Sequence, residues 1–401
     1  MIRHLFLSIT FAWLVAAGCA SPANNQTGTA GTTGSGGTGG SGGSAQPPPP
    51  GLGQGGPFTF PQNKTSGSCT ITSVGSAHVA TNAAYTSWKG SFVTSNGAGG
   101  GLRVQSPQHS GGTVSEGIGY GMIAAVYMND RPTFDGLWTY AKLHFDAKGL
   151  MNWKINSDGS TASDGAGSAL DADEDIAWAL LMASDQWSSL TYLEDARKVI
   201  NAIYGTSIAG DGAIKPGDNW GQTTYYPDYF SPAYYRVFAR ATNNTNWSTV
   251  IIDRNYTLVA AMTGPNGLVP NSSDTANATA TGTYGYNACR MLWRMAMDYC
   301  FNGEPRAKAM LDKAGPFFSG IGASNIGDGY NVANGSQTSG NRNMAFIGPA
   351  GVAGMAGWQS LLDGAFTFGM GSAGDSAYFT NTLRVVMMLM MSGNLLDYSH
   401  Q

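Results

Sequence analysis

Charge is scarce in this 401-residue chain, with only 11% Asp, Glu, Lys and Arg and a net balance of −4 at pH 7. No basic stripe relieves that scarcity, which argues against a nucleic-acid partner. Histidine is equally thin on the ground, and His78, His109, His144 and His400 are scattered. Neither a metal cluster nor a histidine triad is favoured, so no metal and no other cofactor is expected. Cysteine is limited to Cys19, Cys69, Cys289 and Cys300, none of them spaced as a zinc site. Cys289 and Cys300 fall on what reads as one helix, roughly 16 Å apart along its axis at 1.5 Å per residue, too far to bridge. Cys69 can pair with one of them, leaving the other free. Apolar runs long enough to span a bilayer are missing too. Leu383 to Met391 reads as a helix buried on every side, and it stops at Ser392-Gly393, too short to cross.

What is present begins with a targeting segment. Met1 to His4 is a short basic start, Leu5 to Val15 is apolar, and Ala16-Ala17-Gly18-Cys19 follows. Residues 1–19 resemble a bacterial lipoprotein signal with Cys19 as the acylated residue, and an ordinary secretory peptide is the alternative. Either way the mature chain leaves the cytoplasm, where disulfides are permitted, and any membrane contact is through that anchor. Residues 20–57 collapse to Gly, Ser, Thr and Pro, ending near Pro47-Pro48-Pro49-Pro50. Such a stretch buries too little apolar surface to order itself and reads as a flexible tether with a stiffer polyproline end. Residues 58–401 are read as one large domain, expected to act as a monomer.

That domain is helix after helix. Phe134, Leu137, Trp138, Ala141 and Phe145 make one apolar stripe, and Tyr192, Ala196, Val199, Ile200 and Ile203 make another. The periodicity predicts about a dozen helices, over 80–95, 116–129, 133–146, 172–187, 190–205, 231–242, 245–262, 284–301, 303–318, 343–355, 357–366 and 375–392. Narrow amphipathic helices alternate with more apolar ones, which suggests two concentric rings and an all-α toroid. The loops between them are rich in aromatics beside hydroxyls and carboxylates, a combination that suits sugar rings. Trp153, in a loop, is the first candidate for a stacking platform, although a buried loop anchor explains it equally well.

Two acidic stretches depart from the low-charge background. Asp171, Asp173, Glu174 and Asp175 lead into an apolar run ending near Trp187. Asp171 followed by Glu174 predicts a capping box, and acids in a first turn suit the helix dipole, but capping leaves Asp173 and Asp175 unexplained. The second stretch is Ser115-Glu116-Gly117-Ile118-Gly119-Tyr120-Gly121-Met122. Glycine is costly inside helices, so its repetition implies that something approaches the backbone closely, either a packed helix or a substrate. A carboxyl held partly dry there would have its pKa raised, as a general acid requires.

These two motifs together resemble glycoside hydrolase family 8, as do Tyr229-Phe230-Ser231-Pro232-Ala233, Gly267-Leu268-Val269-Pro270, Arg290 and Ser392-Gly393-Asn394. The resemblance covers essentially the whole domain. It implies an (α/α)6 barrel and an inverting endo-hydrolase of β-1,4-linked polysaccharide, β-glucan or cellulose before xylan or chitosan. By position it implies Glu116 as the general acid and Asp171 as the group that holds the sugar at the cleavage point. Trp153, Asp228, Tyr229, Asn287 and Arg290 are expected around the substrate. An inverting enzyme also needs a base across the cleft, roughly 6.5–9.5 Å from the acid. Many family members place an Asp for this in a Tyr-Asp-Ala segment, whereas this chain has Tyr286-Asn287-Ala288, and a carboxamide takes no proton from water as a carboxylate does. Asp274, the single acid of the loop before that helix, is the first candidate for a displaced base. Asp228 is second, and Asp164 and Asp173 follow. Alternatively the chain has lost turnover and keeps a glycan-binding groove on the same barrel.

Overall fold

The computed structural model describes residues 52–221, 223–372 and 377–400. The expected signal (1–19), its Cys19 and the expected linker as far as residue 51 lie outside the described residues. Twelve α-helices are present among the described residues. They are α1 (Ala77–Phe92), α2 (Ser115–Tyr127), α3 (Arg131–Leu143), α4 (Leu170–Gln186), α5 (Leu190–Thr206) and α6 (Pro232–Thr242), then α7 (Val250–Met262), α8 (Met291–Asn302), α9 (Pro305–Ile321), α10 (Met344–Gly354), α11 (Gln359–Gly371) and α12 (Tyr378–Met391). Local chemistry sets a few of their starts. Asp130 caps α3 by accepting from the Thr133 N–H at 3.2 Å, and Glu304 and Asn343 cap α9 and α10 in the same way. Pro232 and Pro305 open α6 and α9, where a missing N–H is harmless.

The even-numbered helices form an inner ring and the odd-numbered ones its cover, an (α/α)6 barrel. Helix α2 packs against α4 and α12, α8 against α6 and α10, and α10 against α12. Between α4 and α6 the contact runs through Tyr234 and Tyr235, whose hydroxyls donate to Asp175 and Glu174. Every residue of α4 and α10 is buried, whereas α5 buries one stripe that includes Tyr192, Ala196, Val199, Ile200 and Ile203. This is the distinction between all-round and one-sided apolar helices that the sequence pattern carries.

Several expected boundaries move. The helix expected over 245–262 is broken by a 3-10 turn at Thr245–Ser248, and α7 begins at Val250. The one expected over 284–301 begins only at Met291, after a short strand and a 3-10 turn at Ala288–Arg290. Phe145 lies beyond the end of α3. The expected linker boundary at residue 57 is also too late. Leu52 is buried, the Gly53 N–H donates to Asp185 Oδ1 at 2.6 Å, and Phe58 stacks on Tyr398 with ring centroids 4.2 Å apart.

From there the chain runs as a strap across the end of the barrel where the inner helices finish. Lys64 N–H donates to Gly393 O, Thr70 N–H to Met355 O and Thr72 N–H to Met391 O. Cys69 is disulfide-bonded to Cys300 at the end of α8, and Cys289 is left as a buried free thiol. The candidate site is at the opposite end.

Candidate active site

Inner helices α2, α4, α6, α8 and α12 all begin at the open end, so the positive ends of their dipoles converge on one space and favour anions there. Arg290, in the turn that leads into α8, stands at its centre. Its Nη1 donates to Glu116 Oε2 at 2.7 Å, to Asp171 Oδ2 at 2.6 Å and to the Tyr120 hydroxyl at 3.0 Å. Its Nη2 lies 2.5 Å from Asp228 Oδ2, an ion pair without the alignment of a hydrogen bond, since neither Asp228 oxygen accepts one from a described residue. Tyr229 and Phe379 flank the guanidinium, with ring centroids 5.6 and 5.8 Å away. The structure thus brings Glu116, Asp171, Asp228, Tyr229 and Arg290 together.

Glu116 occupies the first turn of α2, and its other oxygen, Oε1, accepts from the Tyr378 hydroxyl at 2.9 Å. Burial pushes its carboxyl up, Arg290 pulls it down, and Asp171 pushes it up again. Burial wins and the group reaches about 7. Asp228 is driven to about 7 by the same balance of burial, Arg290 and Asp171. A carboxyl that keeps its proton near neutrality suits a general acid. The Glu116 side chain still exposes 19% of its surface, against 3% for Asp171 and none for Asp228. It opens on a cavity of about 350 Å³ lined also by Gln108, His109, Asn287, Arg290, Tyr378 and Phe379.

The glycines of α2 have a structural explanation. A Cβ on Gly117 would stand 3.0 Å from the Tyr378 ring, and one on Gly119 would stand 2.8 Å from the Asp175 Cβ. The close approach inferred from sequence is therefore made by the side chain that positions Glu116 and by the neighbouring helix α4.

The capping box expected at Asp171 and Glu174 does not form. Ala169 is the N-cap of α4 and no side chain caps it. All four acids are buried, and three of them meet a partner from a distant part of the chain. Asp171 meets Arg290, Glu174 accepts from the Tyr235 hydroxyl, and Asp175 takes both arms of Arg294 at 2.7 and 2.8 Å. Asp173 is buried with its carboxyl raised by that burial, Ser168 opposing.

The other expected residues take different places. Asn287 lines the cavity, while the Asn271 side-chain oxygen pins its loop by accepting from the N–H groups of Gly285, Asn287 and Ala288. Trp153 is half-buried, with its ring N–H donating to the Asp164 carbonyl at 2.7 Å. The Asp164 carboxylate pairs with Lys154 at 2.8 Å. Asp274 lies on a two-residue strand, Ser273–Asp274, paired with Thr224–Tyr225 just upstream of Asp228. It is half-buried, accepts from the Ala276 N–H at 2.8 Å, and is not part of the cavity lining. Tyr378, Tyr120, Phe379 and His109 were missed from sequence. The Asp171/Asp175 and Arg290/Arg294 pairs, opposite charges at the same four-residue spacing, are the signal that was there to be read.

The sequence and the fold have relatives among known proteins. The model of glycosyl hydrolases family 8 matches residues 59–393. Endoglucanase A of Acetivibrio thermocellus is 40% identical over 324 residues, covering 77% of this chain and 68% of the relative. A beta-glucanase of Niallia circulans is 33% identical, covering 84% and 91%. Among solved structures, a beta-1,3-1,4-glucanase from Paenibacillus sp. X4 superposes with a TM-score of 0.77 at 30% identity, covering 84% of this chain and 98% of that one.

Proposed function

The chain belongs to glycosyl hydrolases family 8, and from that premise we propose that it cleaves β-1,4-linked glucan internally, with inversion, through Glu116 as proton donor. The observation that carries this reading is the Glu116 carboxyl, raised to about 7 and open to a cavity it shares with Asn287 and Arg290. Glu116 gives its proton to the leaving glycosidic oxygen as the C1–O bond breaks, and water adds to C1 from the opposite face. Asp171, pinned by Arg290, holds the sugar at the cleavage point.

For the base we propose Asp274. Asp171 is too close to the acid. One nitrogen contacts both of their nearest oxygens, at 2.7 and 2.6 Å, so those oxygens stand closer than the roughly 6.5–9.5 Å that admits a water. Asp228 and Asp173 are sealed from solvent, and Asp164 is held by Lys154. Asp274 keeps access to water and makes no ion pair with a described residue. Asp274→Gly should lose about 10²- to 10⁴-fold in kcat, the usual range for an acid or base group. Azide should restore turnover and yield the α-glycosyl azide. Near-full activity in that variant would move the base elsewhere.

Several relatives carry the word endoglucanase in their names, and the Paenibacillus neighbour is a beta-1,3-1,4-glucanase. Mixed-linkage glucan is therefore the second substrate. Reducing-end release from carboxymethyl-cellulose, lichenan, xylan and chitosan should be largest on the first two. Binding without release on all four would make the barrel a glycan-binding protein. Export, with or without a lipid on Cys19, fits the Cys69–Cys300 disulfide.

A further inference from the structure

The site has a second tier one helical turn below it. Glu116 and Tyr120 are four residues apart on α2, as are Asp171 and Asp175 on α4, and Arg290 and Arg294 at the start of α8. Side chains at that spacing lie one above the other on a helix face. The upper tier is Arg290 with its carboxylates. In the lower tier, Arg294 clasps Asp175 with two nitrogens at 2.7 and 2.8 Å, and the Tyr234 hydroxyl donates to Asp175 at 2.9 Å. The Arg294 guanidinium lies 4.0 Å from the Trp293 ring centroid, and Trp293 meets Tyr120 edge to face with centroids 5.9 Å apart. Gly119 adjoins the same tier, since a Cβ there would collide with Asp175 at 2.8 Å.

Arg294 and Asp175 are each 1% exposed or less and neither reaches the cavity. Exchanging a buried ion pair for apolar residues is often neutral or stabilising, so stability alone gives no reason for charge at this depth. We propose that Asp175 and Arg294 are positioning residues for Glu116, and that Gly119 lets α4 come close enough to α2 for them to act. The pair fixes how α4 and α8 stand against α2, and so where Asp171 and Arg290 present their charges to the acid. This rests on the reading of Glu116 as proton donor.

The groups around Glu116 are Tyr120 on its own helix, Asp171 and Asp175 on α4, Tyr229 before α6, Cys289 and Arg290 before α8, and Tyr378 on α12, with His109 and Tyr286 lining the same cavity. Asp175 is among those that push its carboxyl up, so neutralising it should move the Glu116 titration to lower pH.

The test compares Asp175→Asn, Gly119→Ala and the double variant Asp175→Leu/Arg294→Met. Each should lose up to about a hundredfold in kcat, the cost of a misplacement of about 1 Å caused by a change away from the chemistry, with KM within about twofold. The double variant should melt no lower than the parent. In Asp175→Asn the basic limb of the kcat/KM profile should move to lower pH. The Glu116 carboxyl, followed by isotope-edited infrared spectroscopy without substrate, should titrate lower as well. Parental kcat with an unmoved titration in Asp175→Asn would overturn the proposal, and so would parental kcat in the double variant if Asp175→Asn does not fold. A parent that hydrolyses no glycan would instead defeat the proposed activity, while the infrared titration would still decide the positioning role.

Discussion

The two ends of the same six inner helices are built on opposite principles. Where they finish, the strap from Leu52 onward satisfies their ends with backbone bonds such as Thr70 to Met355 and Thr72 to Met391, closed by the Cys69–Cys300 bridge. Where they begin, three carboxylates crowd one guanidinium, and two of them reach about 7. The first arrangement lowers free energy locally. The second holds carboxyls whose charged forms burial disfavours. The proposed catalytic groups sit at this crowded end, and burial there, against the pull of Arg290, holds the Glu116 carboxyl up to about 7.

The largest blow to this contrast would come from Glu116→Gln. It should lower kcat by about 10²- to 10⁴-fold without lowering the melting temperature, since it removes a disfavoured charge. Reducing-sugar assay and thermal melting would check both halves. Arg290→Met should be costly in another way. It strands the carboxylates that share the guanidinium, and unpairing a buried charge costs about 3–5 kcal/mol, measurable by denaturant unfolding. Cys69→Ser should act at the other end alone. Stability should fall by about 2–5 kcal/mol, while kcat at a temperature where the variant is folded stays at the parental value. A kcat loss there would mean that the two ends are coupled.

The smallest effect is on pH. Glu116 and Asp228 have folded-state values raised from 4.5 and 3.8 to about 7. Between those limits the native state holds protons that the unfolded chain has released, so stability is fullest at the acid side and declines as pH climbs towards 7. Glu116→Gln should flatten that decline, and parental activity should fall away above about pH 7 as the acid deprotonates.

The helix pattern was legible because burial on all sides or on one side writes itself into periodicity, as α10 and α5 show. Breaks at 245–250 and 284–290 were not, because Trp247 and Tyr284 are buried as helix residues would be, while the chain around them forms a 3-10 turn and a short strand. Local capping rules misjudged Asp171 and Glu174, whose partners Arg290 and Tyr235 lie far along the chain. Glu116 stands out in the sequence through the glycines that follow it. Tyr378 does not, since only the fold brings its hydroxyl to the acid. Asp274 is a case where neither local pattern nor pairing decides, which is why its variant matters.

The most direct measurement of the account is the anomeric form of the first product, followed by proton NMR during hydrolysis of a β-glucan oligosaccharide. Inversion predicts that the α-anomer appears first and mutarotates afterwards. A β-anomer appearing first would contradict the account, and would point to Asp171, close enough to Glu116 to serve as a nucleophile.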